Sequence, residues 1–173
     1  MTENFDKVIA VIKYLGLRPN LSEYRWRFLL QKITFLAQSL GLNTDYNFTP
    51  YVAGPYSTAL TSDYNSQTDE LISLQTDYEL TESDVEHLDI INESLDLNGS
   101  LSLLEATSTI VYIMTEESRS VDDDIFVRAK SLKPHLSESF LIIGMTKGKQ
   151  LLFKEEYLTE ELKKEMDVWD KLE

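Results

Sequence analysis

The stretch Phe48-Thr-Pro-Tyr-Val-Ala-Gly-Pro-Tyr-Ser-Thr-Ala-Leu60 decides how this chain folds. Its opening residues are mostly aromatic or β-branched, which favours an extended backbone. Pro50 lies among them and lacks the N–H that an interior strand would donate. We therefore predict a short extended or edge segment at residues 47–53.

The second half of the same stretch predicts a turn that leads into a helix. Gly54 permits backbone conformations that other residues avoid, and Pro55 has its φ angle preset for a first helical turn. The predicted helix covers residues 56–64, with Leu60 facing the core and Ser57 available as a cap. The stretch is thus expected to form a strand-to-helix corner.

Helical periodicity dominates the rest of the chain, because apolar residues recur every three to four positions. The predicted helices span residues 4–15, 22–40, 81–98, 100–114, 120–133 and 137–143, and a C-terminal helix begins at Thr159. Four of these helices are expected to begin at a capping residue: Ser22, Thr81 with Asp84 three positions on, Ser120 and Ser137. A short strand is predicted to return near residues 76–80. The fold class is mainly α, with seven or eight helices and a small β element near residues 47–53 and 76–80. Since no linker or repeat interrupts the chain, we predict a single compact domain over residues 1–173.

The composition is that of a globular protein, with 42% apolar and 27% charged residues. Cysteine is absent, so neither disulfides nor thiolate metal sites can form. The N-terminus is acidic where a secretory signal would be basic. The longest apolar stretch, residues 101–114, contains Glu105 and is shorter than the ~20 residues of a membrane span. We expect a cytoplasmic protein that does not enter a membrane.

The net charge of -14 is unevenly distributed along the chain. Residues 1–40 carry a net +3, whereas residues 33–118 contain no Lys or Arg and carry fifteen acids. Phosphate binding depends on Lys and Arg, so this composition makes nucleic acid an unlikely partner. The same potential attracts a basic protein. The alternative explanation is that the acidic surface only keeps the protein soluble.

Residues with catalytic or metal-binding chemistry do not form a recognisable pattern. His87 and His135 lie far apart in the sequence, and each is expected to have a surface or capping role. The triplet Asp122-Asp-Asp124 is better explained by a helix N-terminus, which favours negative charge. Nucleophile elbows, phosphate-binding loops and dinucleotide fingerprints are absent. We predict a non-enzyme without a metal or cofactor.

The run Leu29-Leu-Gln-Lys-Ile-Thr-Phe-Leu-Ala37, followed by the stretch from Phe48 to Leu60 and by Asp63, resembles the Panacea (SocA-like) antitoxin domain and its YwgA-type relatives. Thr34 stands where the family usually has an aliphatic residue. The resemblance implies a mostly helical, non-catalytic protein that neutralises a toxin by binding it, or delivers the toxin to a protease as an adaptor. The matching motif residues are Lys32, Phe35, Phe48, Tyr51, Gly54, Pro55, Tyr56, Ser57 and Leu60.

The motif residues have either a structural or a partner-binding role, and three functions are considered for the protein. Lys32 either satisfies carbonyl groups of the turn or binds a partner's carboxylate, and Tyr51 and Tyr56 either pack on the second helix or enter a partner's pocket. The leading hypothesis is an antitoxin-like protein whose acidic helix binds a basic toxin or effector. The candidate partner-binding residues are Glu82, Glu86, Asp89 and Glu93. The oligomeric state is left open.

The two alternatives belong to other functional classes. An acidic DNA mimic, as used by phages and mobile elements to evade defence, would occupy a DNA-binding enzyme with carboxylates in place of phosphates. A helix-turn-helix transcription regulator would bind DNA through Arg25 and Lys32, which share a helix face and would have to be exposed. These bases can equally pair with the acidic middle of the chain.

Overall fold

The computed structural model of the chain describes residues 2–153 and, beyond them, Lys164, Asp167, Val168 and Lys171. Within these residues the chain forms eight α-helices of six or more residues and two short β-strands. They are α1 (Glu3–Tyr14), α2 (Tyr24–Ser39), β1 (Thr49–Tyr51), β2 (Gly54–Tyr56), α3 (Thr58–Ser66), α4 (Thr68–Ser73), α5 (Glu82–Ser94), α6 (Leu101–Thr115), α7 (Asp122–Leu132) and α8 (Glu138–Leu152). The prediction of a mainly α fold with a small β element is confirmed. The helix predicted from Thr159 lies outside the described residues.

The described residues group into two compact units, divided after Asn92, in the last turn of α5. The first contains α1 to α4, the two strands and most of α5. The second contains α6, α7 and α8. The single domain over residues 1–173 stays a prediction.

Helix α2 lies at the centre of the first unit. Every residue from Phe28 to Ala37 is buried, so this helix is enclosed on all sides rather than along one stripe. The apolar face of α1 is buried as well, including Phe5, Ile9 and Ile12. Three polar residues of α2 are buried among the apolar ones: Gln31, Lys32 and Thr34. Gln31 and Lys32 have hydrogen-bond partners, whereas the Thr34 hydroxyl has none among the described residues.

The two strands form an antiparallel hairpin that pairs Thr49 with Tyr56, Pro50 with Pro55 and Tyr51 with Gly54. Gly54 has a φ of 97°, a conformation that glycine adopts at little cost. The prediction that Pro55 opens a helix is therefore wrong. The chain reverses at residues 52 and 53 and places Pro55 opposite Pro50, before any helix starts.

Helix α3 begins only at Thr58, and the predicted cap is confirmed. The Ser57 backbone is extended, and its hydroxyl oxygen accepts a hydrogen bond from the backbone N–H of Leu60 at 3.3 Å. Leu60 is fully buried, as expected for the inward face. The strand-to-helix corner is therefore a hairpin followed directly by a capped helix.

The strand predicted at residues 76–80 is absent from the described chain, which has neither helix nor strand there. Local side chains take up the backbone donors that a strand would use. The N–H of Asp77 donates to the Asp6 carboxylate, and that of Tyr78 donates to the Thr76 hydroxyl. The second strand of the small sheet is β2 instead.

Two predicted caps are also wrong. The Ser22 hydroxyl bonds to the Asn20 side chain at 2.6 Å, and α2 starts after Glu23 without a side-chain cap. Helix α7 likewise starts after Val121, not Ser120, and has no side-chain cap. A serine near a helix start is favourable only where its hydroxyl reaches the free N–H groups.

The second unit has a core between α6, α7 and α8. Its buried apolar residues are Ala106, Ile110, Ile113, Ile125, Ala129, Leu136 and Leu141. Helix α8 starts at the predicted cap Ser137 but continues to Leu152, well past the predicted end at residue 143. Gly144 explains the close approach of α8 to α6, because an added Cβ would lie 3.0 Å from the Ala106 carbonyl carbon. None of the helices in the described chain is both long and apolar enough to cross a membrane.

Candidate functional site

The turn between β2 and α3 is held by the buried side chain of Gln31. Its amide nitrogen donates to the Ser57 carbonyl at 3.0 Å, and its amide oxygen accepts from the Ser57 N–H at 2.8 Å. This pair of bonds imitates the pairing of two strands. The same nitrogen lies 2.9 Å from the Thr61 hydroxyl. Gln31 was not among the predicted residues, since glutamine is also an ordinary helix former and its spacing carries no distinctive signal.

Lys32 extends the same attachment from α2 to the hairpin. Its side chain is 2% exposed, and its ammonium donates to the Pro55 carbonyl at 2.7 Å. The ammonium also lies 4.9 Å from the centroid of the Phe28 ring, a cation–π distance. Because Pro50 and Pro55 both lack an N–H, their pairing offers no ladder hydrogen bond to this carbonyl. Lys32 therefore satisfies the turn, which is the first of its two proposed roles.

Aromatic contacts complete the corner. Phe35 on α2 meets Phe48 edge to face, with ring centroids 5.3 Å apart, and Tyr51 packs against Tyr56 at 5.2 Å. The Tyr56 hydroxyl lies 2.6 Å from that of Thr61, which ties the hairpin to α3. Such ring pairs add stability beyond their buried area.

The residues that carry the resemblance are thus mostly interior. Only the hairpin tip reaches solvent, where Tyr51 is 60% and Val52 is 75% exposed. The corner joins buried groups of α2, β2 and α3 through these hydrogen bonds. Its chemistry is that of a scaffold, with a small apolar tip.

The predicted partner-binding residues lie in a single stripe along α5. Glu82, Glu86, Asp89 and Glu93 are all exposed, at positions that recur on one face of a helix. Leu88 and Ile91 on the opposite face are buried. We call these four carboxylates the acidic stripe. Within the described part of the chain, none of them forms an ion pair with Lys or Arg.

The start of α5 is fixed by the predicted capping arrangement. The Thr81 hydroxyl oxygen accepts from the N–H of Asp84 at 3.1 Å, and the Asp84 carboxylate accepts from the N–H of Thr81 at 2.9 Å. This reciprocal pair is a capping box. It defines the helix on which the acidic stripe is displayed.

A groove of about 720 Å³ lies between α1, residues 76–80 and α5. Two tyrosines flank it, and both donate hydrogen bonds to carboxylates of α5. The Tyr14 hydroxyl bonds to Asp89 at 2.6 Å, and the Tyr78 hydroxyl bonds to Asp84 at 3.3 Å. The hydrogen bond to Asp89 raises the pKa of the Tyr14 phenol, and burial followed by the charge of Asp84 raises the pKa of Tyr78. Both phenols thus remain neutral donors at physiological pH.

The other predicted side chains occupy separate places. His135 lies in the second unit, with its Nε2 atom 3.0 Å from the Glu105 carboxylate. Lys133 is buried beside the same carboxylate at 3.6 Å, and burial lowers the pKa of its ammonium. His87 has a buried Nδ1 atom without a hydrogen-bond partner. The described chain contains no cluster of three metal-ligating side chains.

The aspartate triplet lies in the first turn of α7, as its interpretation as a helix start requires. Asp122 accepts from the Lys149 ammonium at 2.6 Å, and Asp124 lies 3.6 Å from Arg119. These carboxylates are therefore engaged in pairing within the second unit. They do not converge on one point.

Comparisons with protein-family models, with curated proteins and with solved structures find no match for this chain. The case for a function accordingly rests on the chain's own residues. Two exposed surfaces of the described chain are candidates for binding: the acidic stripe with its adjoining groove, and the apolar hairpin tip.

Proposed function

We propose that this chain is a non-catalytic, antitoxin-like protein that binds a basic toxin or effector through the acidic stripe of α5. The observation that carries the proposal is the stripe itself, four exposed carboxylates without Lys or Arg partners in the described chain. By contrast, the half-buried Glu117 pairs with Arg128 at 2.8 Å. Asp89 accepts a hydrogen bond from Tyr14, and the carboxylates of Glu82, Glu86 and Glu93 are available to a partner on the same face.

The surroundings of the stripe strengthen its field. Residues 33–118 contain no Lys or Arg, so no cation from this part of the sequence neutralises it. Charges of one sign on a surface raise the association rate of an oppositely charged protein and make that rate sensitive to salt. We infer a basic partner in the same compartment, which for this chain we propose to be the cytosol.

The resemblance to the Panacea antitoxin domain supports the type of partner. Its motif coincides here with the buried corner, so the resemblance concerns the scaffold, and toxin neutralisation or delivery follows as part of the proposal. The helix-turn-helix alternative is less well supported, because it needs an exposed Lys32, and this lysine is buried against Pro55.

The test is capture of proteins from a lysate of the source organism on the immobilised chain, followed by release with increasing salt. Glu86→Lys and Glu93→Lys together should weaken the captured complex by about fivefold per reversal, since each exchanges an attraction of about 0.5 kcal/mol for a repulsion. Glu116→Lys is the matched control, because Glu116 is an exposed carboxylate outside the stripe, at the end of α6. Co-expression with the captured protein should relieve its effect on growth.

Three results would count against the proposal. The first is a captured protein that resists salt, and the second is equal weakening by Glu116→Lys. The third is release by duplex DNA together with identification of a DNA-binding enzyme, which would favour the DNA mimic.

A further inference from the structure

We propose that the groove between α1, residues 76–80 and α5 receives a short segment of the basic partner, in which an arginine lies beside an aliphatic side chain. This inference rests on the proposed function and adds a specific docking site to it. The acidic stripe attracts the partner, and the groove selects it.

The groove has the size and the lining of a peptide site. Its volume of about 720 Å³ falls within the ~300–1,000 Å³ of common binding pockets. Ala10 forms a buried apolar floor, and Leu80 and Val85 are half-buried at its sides. These three side chains offer contact to an aliphatic group without a competing charge.

The aromatic side of the groove is suited to a cation. Lys7 already places its ammonium 5.6 Å from the centroid of the Tyr78 ring. Tyr14 offers a comparable ring that is 41% exposed, and no cation lies over it within the described chain. Its hydroxyl is fixed by Asp89 at 2.6 Å, so the ring and the carboxylate are held together. A planar guanidinium can stack on such a ring and bond to such a carboxylate at once, which an ammonium cannot do equally well.

The charges around the groove favour the same occupant. Asp77 and Glu79 are exposed at its edge, and Asp84 and Asp89 lie behind the two tyrosines. Lys13 is the single cation among the residues that line it. An acidic segment would meet the exposed carboxylates of Asp77 and Glu79, whereas an arginine would be repelled only by Lys13 and by Lys7 over the Tyr78 ring.

The experiment is a titration of the full ¹⁵N-labelled chain with four synthetic peptides, followed by amide chemical shifts. The probe is acetyl-Gly-Leu-Arg-Leu-Gly-amide, and its three relatives carry Lys or Glu for Arg, or Ala for both Leu. We expect shifts confined to residues 10, 13–14, 76–80, 85 and 89 with the arginine peptide. The lysine and alanine peptides should bind at least about threefold more weakly, and the glutamate peptide should leave the spectrum unchanged.

Variants of Tyr14 separate the ring from the hydroxyl. Tyr14→Ala should weaken the arginine peptide about fivefold or more, whereas Tyr14→Phe keeps the ring and should stay within about twofold. Val85→Trp fills the groove and should abolish the shifts in a chain whose remaining spectrum is unchanged. Should Val85→Trp disturb the fold, the Tyr14 pair still decides the question.

The inference is overturned by shifts outside the groove, by equal binding of the glutamate peptide, or by a Tyr14→Ala variant that binds as wild type does. Its failure is distinguishable from failure of the proposed function. If Glu86→Lys loses partner capture but the peptides cause no shifts in the groove, the proposed function is supported and the docking site is refuted. If the peptide binds in the groove but Glu86→Lys does not change partner capture, the docking site is supported and the role of the acidic stripe is refuted.

Discussion

Replacing Lys32 with methionine tests whether the hairpin depends on a buried ammonium. In the wild-type chain this ammonium donates to the Pro55 carbonyl at 2.7 Å and lies over the Phe28 ring. Methionine keeps an unbranched, flexible side chain in the same space but cannot donate a hydrogen bond. The substitution therefore leaves the carbonyl without this donor at a buried position.

The expected loss follows from these contacts. A buried carbonyl that loses a charged donor costs about 1.5–3 kcal/mol, and the lost cation–π contact costs about 0.5–1 kcal/mol more. Methionine avoids the desolvation of an ammonium, which offsets part of that loss. We expect Lys32→Met to lower the free energy of unfolding by about 1–2 kcal/mol.

Urea unfolding of the first unit provides the assay. Trp26 belongs to this unit, and in a Trp169→Phe background it is the only tryptophan of the chain. With an m-value of about 1–1.5 kcal/mol/M for a unit of this size, the midpoint should fall by about 1 M. Arg27→Met is the control on the same helix, because Arg27 is exposed, and it should change stability by less than about 0.5 kcal/mol.

Equal midpoints for Lys32→Met and Arg27→Met would refute the reasoning, since the Pro55 carbonyl would then not depend on the lysine. A second readout addresses the other proposed role of Lys32. Below the unfolding transition, Lys32→Met should capture the partner as strongly as wild type does. Weaker capture by a fully folded variant would indicate that Lys32 contributes to partner binding.

Three further predictions concern the second unit. Gly144→Ala should lower the thermal unfolding midpoint, and the free energy of unfolding should fall by about 1–2 kcal/mol. The added Cβ meets the Ala106 backbone at 3.0 Å, and this overpacking outweighs the higher helix propensity of alanine. Burial lowers the pKa of Lys133, so the unfolded chain binds more protons than the folded chain does. Wild type should therefore gain stability relative to Lys133→Met as the pH rises towards 10.5, as measured by urea unfolding. Hydrogen bonds from Arg128 lower the pKa of Glu117, so the advantage of wild type over Arg128→Met, about 1 kcal/mol, should be present above pH 4.5 and fade in acid melts below it.

Each of these has a result that would contradict it. An added Cβ at Gly148 meets side chains rather than backbone, Ile110 Cγ2 at 3.0 Å and Val111 Cγ2 at 3.6 Å. Gly148→Ala should therefore cost less than Gly144→Ala, and the opposite order would contradict the packing argument. Parallel pH profiles for wild type and Lys133→Met would show that its ammonium is as well solvated in the folded chain as in the unfolded one. An advantage over Arg128→Met that persists in acid would assign it to packing of the arginine stem.

The helices could be predicted because their signals are local. A repeat of apolar residues and a serine or threonine cap lie within one helix, as at Ser57, Thr81 and Ser137. The length of a helix depends also on residues distant in sequence. Nothing in residues 138–152 alone shows that Gly144 meets Ala106, which is why α8 was predicted to end too early.

The candidate site likewise has a part that depends on local sequence and a part that depends on residues far apart in the chain. The acidic stripe was predictable, because its four carboxylates belong to a single helix and share a face by spacing. The groove beside it was not, since the contact that defines it joins Tyr14 to Asp89, 75 positions further along the chain. Likewise Lys32 and Pro55 are 23 positions apart, and sequence left the role of the lysine open.

A motif made of buried groups identifies a scaffold more reliably than it identifies a partner. Gln31, Lys32 and Ser57 satisfy one another or the backbone, so changing any of them is costly whatever the protein binds. Glu82, Glu86 and Glu93 of the acidic stripe have no comparable constraint in the described chain and can vary at little cost to stability, whereas Asp89 is held by Tyr14. Under the proposed function, the corner should therefore persist among proteins with different partners, and α5 and its groove should decide which partner is bound. Exchange of the stripe and groove residues between two proteins that share the corner should transfer partner choice, and exchange of their hairpins should not.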